Sequence, residues 1–378
     1  METKNTLPYL SHELIIQILL RLPVKSLIRF KGVCKSWLSL ISDPHFTNSH
    51  FQTTAETHSR RIMFISYSPP LQTRFIDYEP SIHQHTASAS LNLNFTPFES
   101  YPHIQIIGSC RGFILFDCYC KQIHDYIIYI WNPSTGFHKK LPLSPFSFSY
   151  DSYAQNFSGF GYDRLTDDYL LVSLCLDQNI SNISQHLVFF SFRDNTWKEI
   201  KGTHFPYENF SYVDPQVGSL YNEAIHWLAF HHDLQTYVIV AFDLMERKLL
   251  DMHLPVNFDR EIHNCGLWVF GEFLSLWAMD IDNDTVEIWV MKEYKMHSSW
   301  TKTLVLPTNG LPVKYFIPLC TAKSGDIIGT DGGTGWAKYN DKGHLLDHSD
   351  YNDSHGFQAE MYIESLLSLP GPADNEQA

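Results

Sequence analysis

What most limits the fold is a repeat. Past residue 100 the chain returns to one unit: an aromatic or apolar strand, a polar turn, a second short strand and often a Leu-Pro exit. It reads YIWNPSTGFHKKLP from Tyr129, FFSFRDNTWKEI from Phe189, VIVAFDLMERKLLDMHLP from Val238, EIWVMKEYKMHSSWTKTLVLP from Glu287 and WAKYNDKGHLL from Trp336. With Trp131, Phe192, Phe242, Met291 and Tyr339 as equivalent points, the intervals are 61, 50, 49 and 48 residues. A period near ~50 built from short strands is that of a propeller blade. A ring of blades also removes long open sheet edges. The rival, a two-sheet sandwich, predicts no constant period.

Strands are expected at Ile104–Ile107, Phe113–Cys118, Ile127–Trp131, Tyr169–Cys175, Leu187–Phe192, Ala224–Ala229, Tyr237–Leu244, Phe273–Met279, Val286–Met291, Tyr315–Leu319, Asp326–Gly329 and Trp336–Tyr339. Ser81–Ser90 reads as a loop. The five units make five blades, and the early strands at Arg61–Tyr78 should join late ones around Met361–Leu369 in a sixth that closes the ring. The double glycine of true kelch repeats is missing, so the body is kelch-like. The expected fold is mainly β, about six blades behind a small helical head.

That head is LPYLSHELIIQILLRLPVKSLIRFKGVCKSWLSLISDPHFTNSH, from Leu7 to His50. Ser11 can cap a first helix whose opening turn carries Glu13. Leu14, Ile15, Ile18, Leu19 and Leu22 follow at helical spacing, and Pro23 stops the run. Leu27, Ile28 and Phe30 make a second apolar face ended near Gly32, and Val33, Trp37, Leu40 and Ile41 a third. Asp43-Pro44 is a cap followed by a first-turn proline, opening a final turn through Phe46. A unit of roughly 45 residues buries its core poorly alone, and these apolar residues cannot all point inward. Either a partner or the rest of the chain covers the surplus.

Leu7-Pro8, Glu13-Leu14, Ile18-Leu19, Arg21 to Leu27, Arg29-Phe30, Val33 to Trp37, Leu40-Ile41 and Asp43 to Phe46 resemble the F-box motif. The spacing departs once, with one extra residue between Leu7-Pro8 and Glu13-Leu14. Gly108 to Gly112, Trp131 to Thr135, Gly159 to Asp163, Asp168-Tyr169 and Tyr362 to Leu366 resemble the F-box-associated domain of the same plant group. The resemblance implies residues 1–50 as F-box, 51–60 as linker, 61–370 as a kelch-like propeller and 371–378 as a disordered tail. It further implies the substrate receptor of an SCF (Skp–cullin–F-box) ubiquitin ligase, binding a Skp-type adaptor and, through it, cullin. The adaptor-binding residues it suggests are Leu7 and Pro8 as an extended clamp, Leu14, Ile18 and Leu22 on the first helix, Pro23, Val24 and Leu27 around the turn, and Val33, Cys34 and Trp37 beyond. The target is an unknown protein. The alternative is a glycan- or small-ligand-binding propeller tethered to the same adaptor.

Charge narrows the partners. Residues 1–50 hold six basic and three acidic side chains, and the remainder holds 21 basic and 38 acidic. An acidic body disfavours nucleic acid, whose binding rests on Lys and Arg against phosphates. Seven scattered cysteines read as reduced thiols, and no run approaches the ~20 apolar residues of a membrane span. Cytoplasm, nucleus or both is the expected location.

Motifs that could carry chemistry each have a plainer reading. Gly108-Ser109-Cys110-Arg111-Gly112 has the spacing of a nucleophile elbow, but a strand follows it where a helix is required. Asp280-x-Asp282-x-Asp284 starts like a calcium loop and lacks its glycine and its closing glutamate. Cys118, Cys120 and His124 have no second ligand pair. Gly332-Gly333-Thr334-Gly335 reads as a turn, and His231-His232-Asp233 as a hairpin tip. No cofactor or catalytic residue is expected. The irregular segments Ser144–Ser158, Asp177–Gln185 and Tyr207–Asp214 are where a target would be sought.

Overall fold

The computed structural model describes residues 10–54, 60–66, 72–77, 88–92, 104–120, 125–145, 156–179, 182–202, 205–209, 216–331, 335–350 and 357–371. Four helices come first: α1 (His12–Leu19), α2 (Val24–Phe30), α3 (Lys35–Ser42) and α4 (Pro44–Thr53). Ser11 caps α1 by accepting the Leu14 N–H, and Asp43 caps α4 by accepting the Phe46 N–H. The expected final turn is thus a ten-residue helix that runs into the segment read as linker. Pro23 does its stopping as the residue before α2, where no N–H is needed.

Strands follow. β1 (Arg60–Ser66), β2 (Gln72–Asp77) and β3 (Ser88–Asn92) precede β4 (Ile104–Cys110), β5 (Phe113–Cys120), β6 (Asp125–Asn132) and β7 (Phe137–Lys140). Then come β8 (Phe157–Asp163), β9 (Asp168–Asn179), β10 (Asn182–Ser191), β11 (Thr196–Ile200) and the short β12 (Tyr207–Glu208), β13 (Gln216–Val217) and β14 (Ser219–Tyr221). β15 (Ala224–His231), β16 (Thr236–Asp243) and β17 (Lys248–His253) lead to β18 (Cys265–Phe270), β19 (Phe273–Asp280), β20 (Thr285–Met291) and β21 (Trp300–Pro307). The last are β22 (Ile317–Thr321), β23 (Ile327–Thr330), β24 (Gly335–Tyr339), β25 (Leu345–Asp350) and β26 (Phe357–Ile363).

These strands form six sheets of four or five members. β26 packs on β4, β4 on β8, β8 on β14, β14 on β18, β18 on β22, and β22 on β26 again, so the innermost strands make a closed circle. Trp131, Phe242, Met291 and Tyr339 all fall on the third strand of their sheets, and Phe192 directly follows one. The repeat therefore marks a structural equivalence. The sixth sheet joins the two ends of the chain: β26 pairs antiparallel with β1, from Arg60 opposite Ile363 to Ser66 opposite Phe357. Ser88–Asn92, which overlaps the expected loop, is the outer strand of that sheet. Its Ser and Ala residues carry no strand pattern, and the neighbouring β2 supplies the pairing.

The core lies between sheets, one apolar cluster to each interface. Alternation explains this division, because successive side chains of a strand leave by opposite faces. Met63 and Ile65 of β1 pack toward β4–β6, while Ile62 and Phe64 join Cys320 and Ile328 of the sheet on the other side. On β16, Val238, Val240 and Phe242 pack with Phe157 of β8 and with Leu170, Val172 and Leu174 of β9. Ile239 and Ala241 of the same strand pack toward Leu274 and Leu276. Strands apolar on both faces read as unbroken apolar runs, and that is why the middle strands are the legible ones.

Candidate functional site

The head builds a core from Leu19, Leu20, Val24, Leu27, Ile41 and Phe46, with the Phe30 and Trp37 rings tilted together beside it, their centroids 5.3 Å apart. His50, on α4, donates from Nε2 to the Leu22 carbonyl at 2.8 Å and ties α4 to the end of α1. Burial holds its ring below the ordinary histidine range, so the neutral donor form persists.

One side of the head is covered by its own chain. After β26, residues Glu364–Gly371 run beneath the helices as a strap: Leu366 completes the head core, and Leu367 enters the cluster between β4–β7 and β8–β11, where Phe51 also packs. Asn132 Nδ2 donates to the Ser365 and Leu367 carbonyls at 3.1 and 3.3 Å. Arg111, at the β4–β5 turn, lies 4.8 Å from the Phe51 ring and 4.0 Å from the Tyr162 ring, and its Nη2 donates to Asn48. Cation–π contacts of this kind hold head and ring together.

Among the described residues the head also carries exposed apolar side chains. Leu14 is 54% exposed, Ile18 49% and Val33 60%, and Leu10 and Leu38 are also exposed. Leu14 and Ile18 are one turn apart on α1, hence on one stripe of it. Of the residues singled out in the sequence, Pro23 and Cys34 are exposed too, and Leu22 and Trp37 are partly buried. Val24 and Leu27 do not belong to any surface: at 7% and 0% exposure they are core, because the turn of α2 that carries them points into the bundle. Leu7 and Pro8 lie outside the described residues. Leu10, just before the Ser11 cap, and Leu38, on α3, are exposed as well and were not singled out in the sequence.

Among the described residues, the motifs that hinted at chemistry resolve into strands and hairpin turns. Cys110 ends β4 and Phe113 begins β5, with Arg111 and Gly112 at φ of 51° and 87°, which makes a hairpin and no elbow. Burial pushes the Cys110 thiol up to about 12. Asp280 pairs with Arg260 at 2.9 Å and Asp284 with Lys314 at 2.7 Å, so the chain's own cations serve that hairpin. Among the described residues no cluster of His, Cys, Asp or Glu has the make-up of a metal site; His124 and Gly332 to Thr334 lie outside them. His231 and His232 sit at the β15–β16 tip beside Asp251 and Glu208. The strands flanking residues 146–155, 180–181 and 210–215 all present their ends on the face away from the head; those three segments lie outside the described residues.

Comparison with known proteins places these two parts together. The family described as F-box domain matches residues 7–49, and that described as F-box associated beta propeller domain matches residues 53–334. An F-box/kelch-repeat protein of Arabidopsis thaliana is 27% identical, over 94% of this chain and 94% of its own length. The F-box protein CPR1 of the same plant is 25% identical, over 82% of this chain and 76% of its own. With a helical head followed by a ring of sheets and both family matches in the same order, the chain belongs to the F-box proteins with an F-box-associated β-propeller domain.

Proposed function

We propose that this protein is a substrate receptor of an SCF ubiquitin ligase, its bare head face binding a Skp-type adaptor and its propeller holding a target protein. The observation that carries the reading is the uncovered apolar stripe of Leu14 and Ile18 on a head whose opposite side is already seated. Exposed apolar surface on so small a unit costs solubility unless a partner covers it. Leu10, Val33, Cys34 and Leu38 extend the surface, and the basic side chains Lys25, Arg29 and Lys35, all exposed, suit an acidic partner. The receptor's part in the reaction is proximity: it raises the local concentration of target lysines and performs no bond chemistry.

The test is co-purification of full-length protein with a Skp-type adaptor. Leu14→Asp with Ile18→Asp should lower adaptor recovery by about 100-fold, as expected for charges set into an apolar contact, with the circular dichroism unchanged because both side chains are exposed. Recovery equal to wild type would remove the assignment.

A further inference from the structure

The innermost strands leave a channel of about 500 Å³ along the ring axis, whose walls include the aliphatic side chains of Leu267, Val269, Leu319 and Met361. One carboxylate stands among them. Glu360 lies on β26, three residues before the strand ends at Ile363, ~10 Å inside the rim nearest the head at the usual strand rise. It is partly buried and lines the channel; no hydrogen bond or ion pair joins it to any described residue. Burial lifts its carboxyl to about 7.

The groups around it leave it unpaired. On β1, Arg61 is engaged by Glu364 at 3.1 Å, and Arg60, opposite Ile363, is exposed and lines the channel near the Cys320 thiol without an ion pair to Glu360. Arg111, beyond β4, is held between Phe51 and Tyr162. On β22 the facing group is the Cys320 thiol, which burial pushes up to about 12 and keeps neutral. Beyond residue 50 acidic side chains outnumber basic ones by 38 to 21. A buried carboxylate without a partner is costly, and a cation delivered from outside removes that cost.

We propose that the channel is a pocket for a basic side chain, arginine or lysine, of the target protein, with Glu360 as its counter-ion. The aliphatic walls suit the methylene stem of such a side chain. Arg60 and Arg111 line the head-side end of the same channel. The source of the side chain, though not the cation site itself, rests on the receptor reading.

The measurement is a titration of full-length protein with N-acetyl-arginine amide, followed by tryptophan fluorescence, since Trp268 and Trp277 also line the channel. A saturable change is expected, at least about tenfold weaker for the neutral N-acetyl-citrulline amide and for Glu360→Gln. Affinity should rise between about pH 6 and 8, because only the ionised carboxylate attracts the cation. Glu360→Gln keeps the shape and removes an unpaired charge, so its thermal midpoint at about pH 8 should match or exceed wild type, which separates lost binding from lost folding. Equal binding of the two probes, unchanged affinity in Glu360→Gln, or no saturation would overturn the site. Methylguanidine binding as tightly as the arginine amide would overturn the assignment to a peptide side chain. No readout involves the adaptor, so this proposal and the receptor reading fail separately.

Discussion

Cysteines show how far a residue's type speaks for its role. Cys34 and Cys110 look alike in the sequence, each beside a basic residue, yet one is exposed before α3 and the other buried at the β4–β5 hairpin. Burial pushes the thiols of Cys110, Cys265 and Cys320 up to about 12, and thiolate is the reacting form. Cys34 should therefore be alkylated by iodoacetamide in the native protein at least ~100-fold faster than these three, as judged by mass spectrometry of peptides. Adaptor binding should slow it. Equal labelling with and without adaptor would take Cys34 off the proposed interface. Val24 and Leu27 carry the same lesson: spacing puts them near the surface set, while only packing could place them in the core.

At the scale of elements, the strap after β26 decides how the head sits. Gly112, at φ 87°, lets it pass: an added Cβ would meet the Ser365 Cβ at 2.1 Å and the Ile363 carbonyl at 3.0 Å. Gly112→Ala should cost about 2–4 kcal/mol, from left-handed backbone and overpacking together, read as a lower urea midpoint; an unchanged midpoint would mean that the strap yields freely. Leu366→Ala should open the head core by about 2–4 kcal/mol. Amide exchange in α2 and α4 would then quicken by more than about 30-fold, while β9 and β16 stay as slow as before. Uniform acceleration throughout would show that head and ring unfold as one body. The strap's sequence, ESLLSLPG, reads by itself as the end of a strand. Its apolar residues serve two different cores, Leu366 the head and Leu367 the ring, and no periodicity encodes that division.

For the whole molecule, closure is the controlling event. A chain ending at residue 350 would lose β26 and the strap, leaving β1 with an open edge and the circle of innermost strands broken. Such an edge invites pairing between chains, so that truncation should aggregate on gel filtration; a monomer with the wild-type thermal midpoint would show that the ring stands without its closing strand. Much of this body was legible in the sequence. The period near ~50 and the unbroken apolar runs located the middle strands, and the capping residues located α1 and α4, because a strand's buried faces and a helix's first turn impose their demands on neighbours in the chain. The outer strands, the course of the strap, the burial of Val24 and Leu27 and the solitude of Glu360 were decided only in three dimensions. Each depends on what lies across a sheet interface or a closing ring, between residues as distant in sequence as Arg60 and Ile363, and local pattern has no means of recording who that neighbour will be.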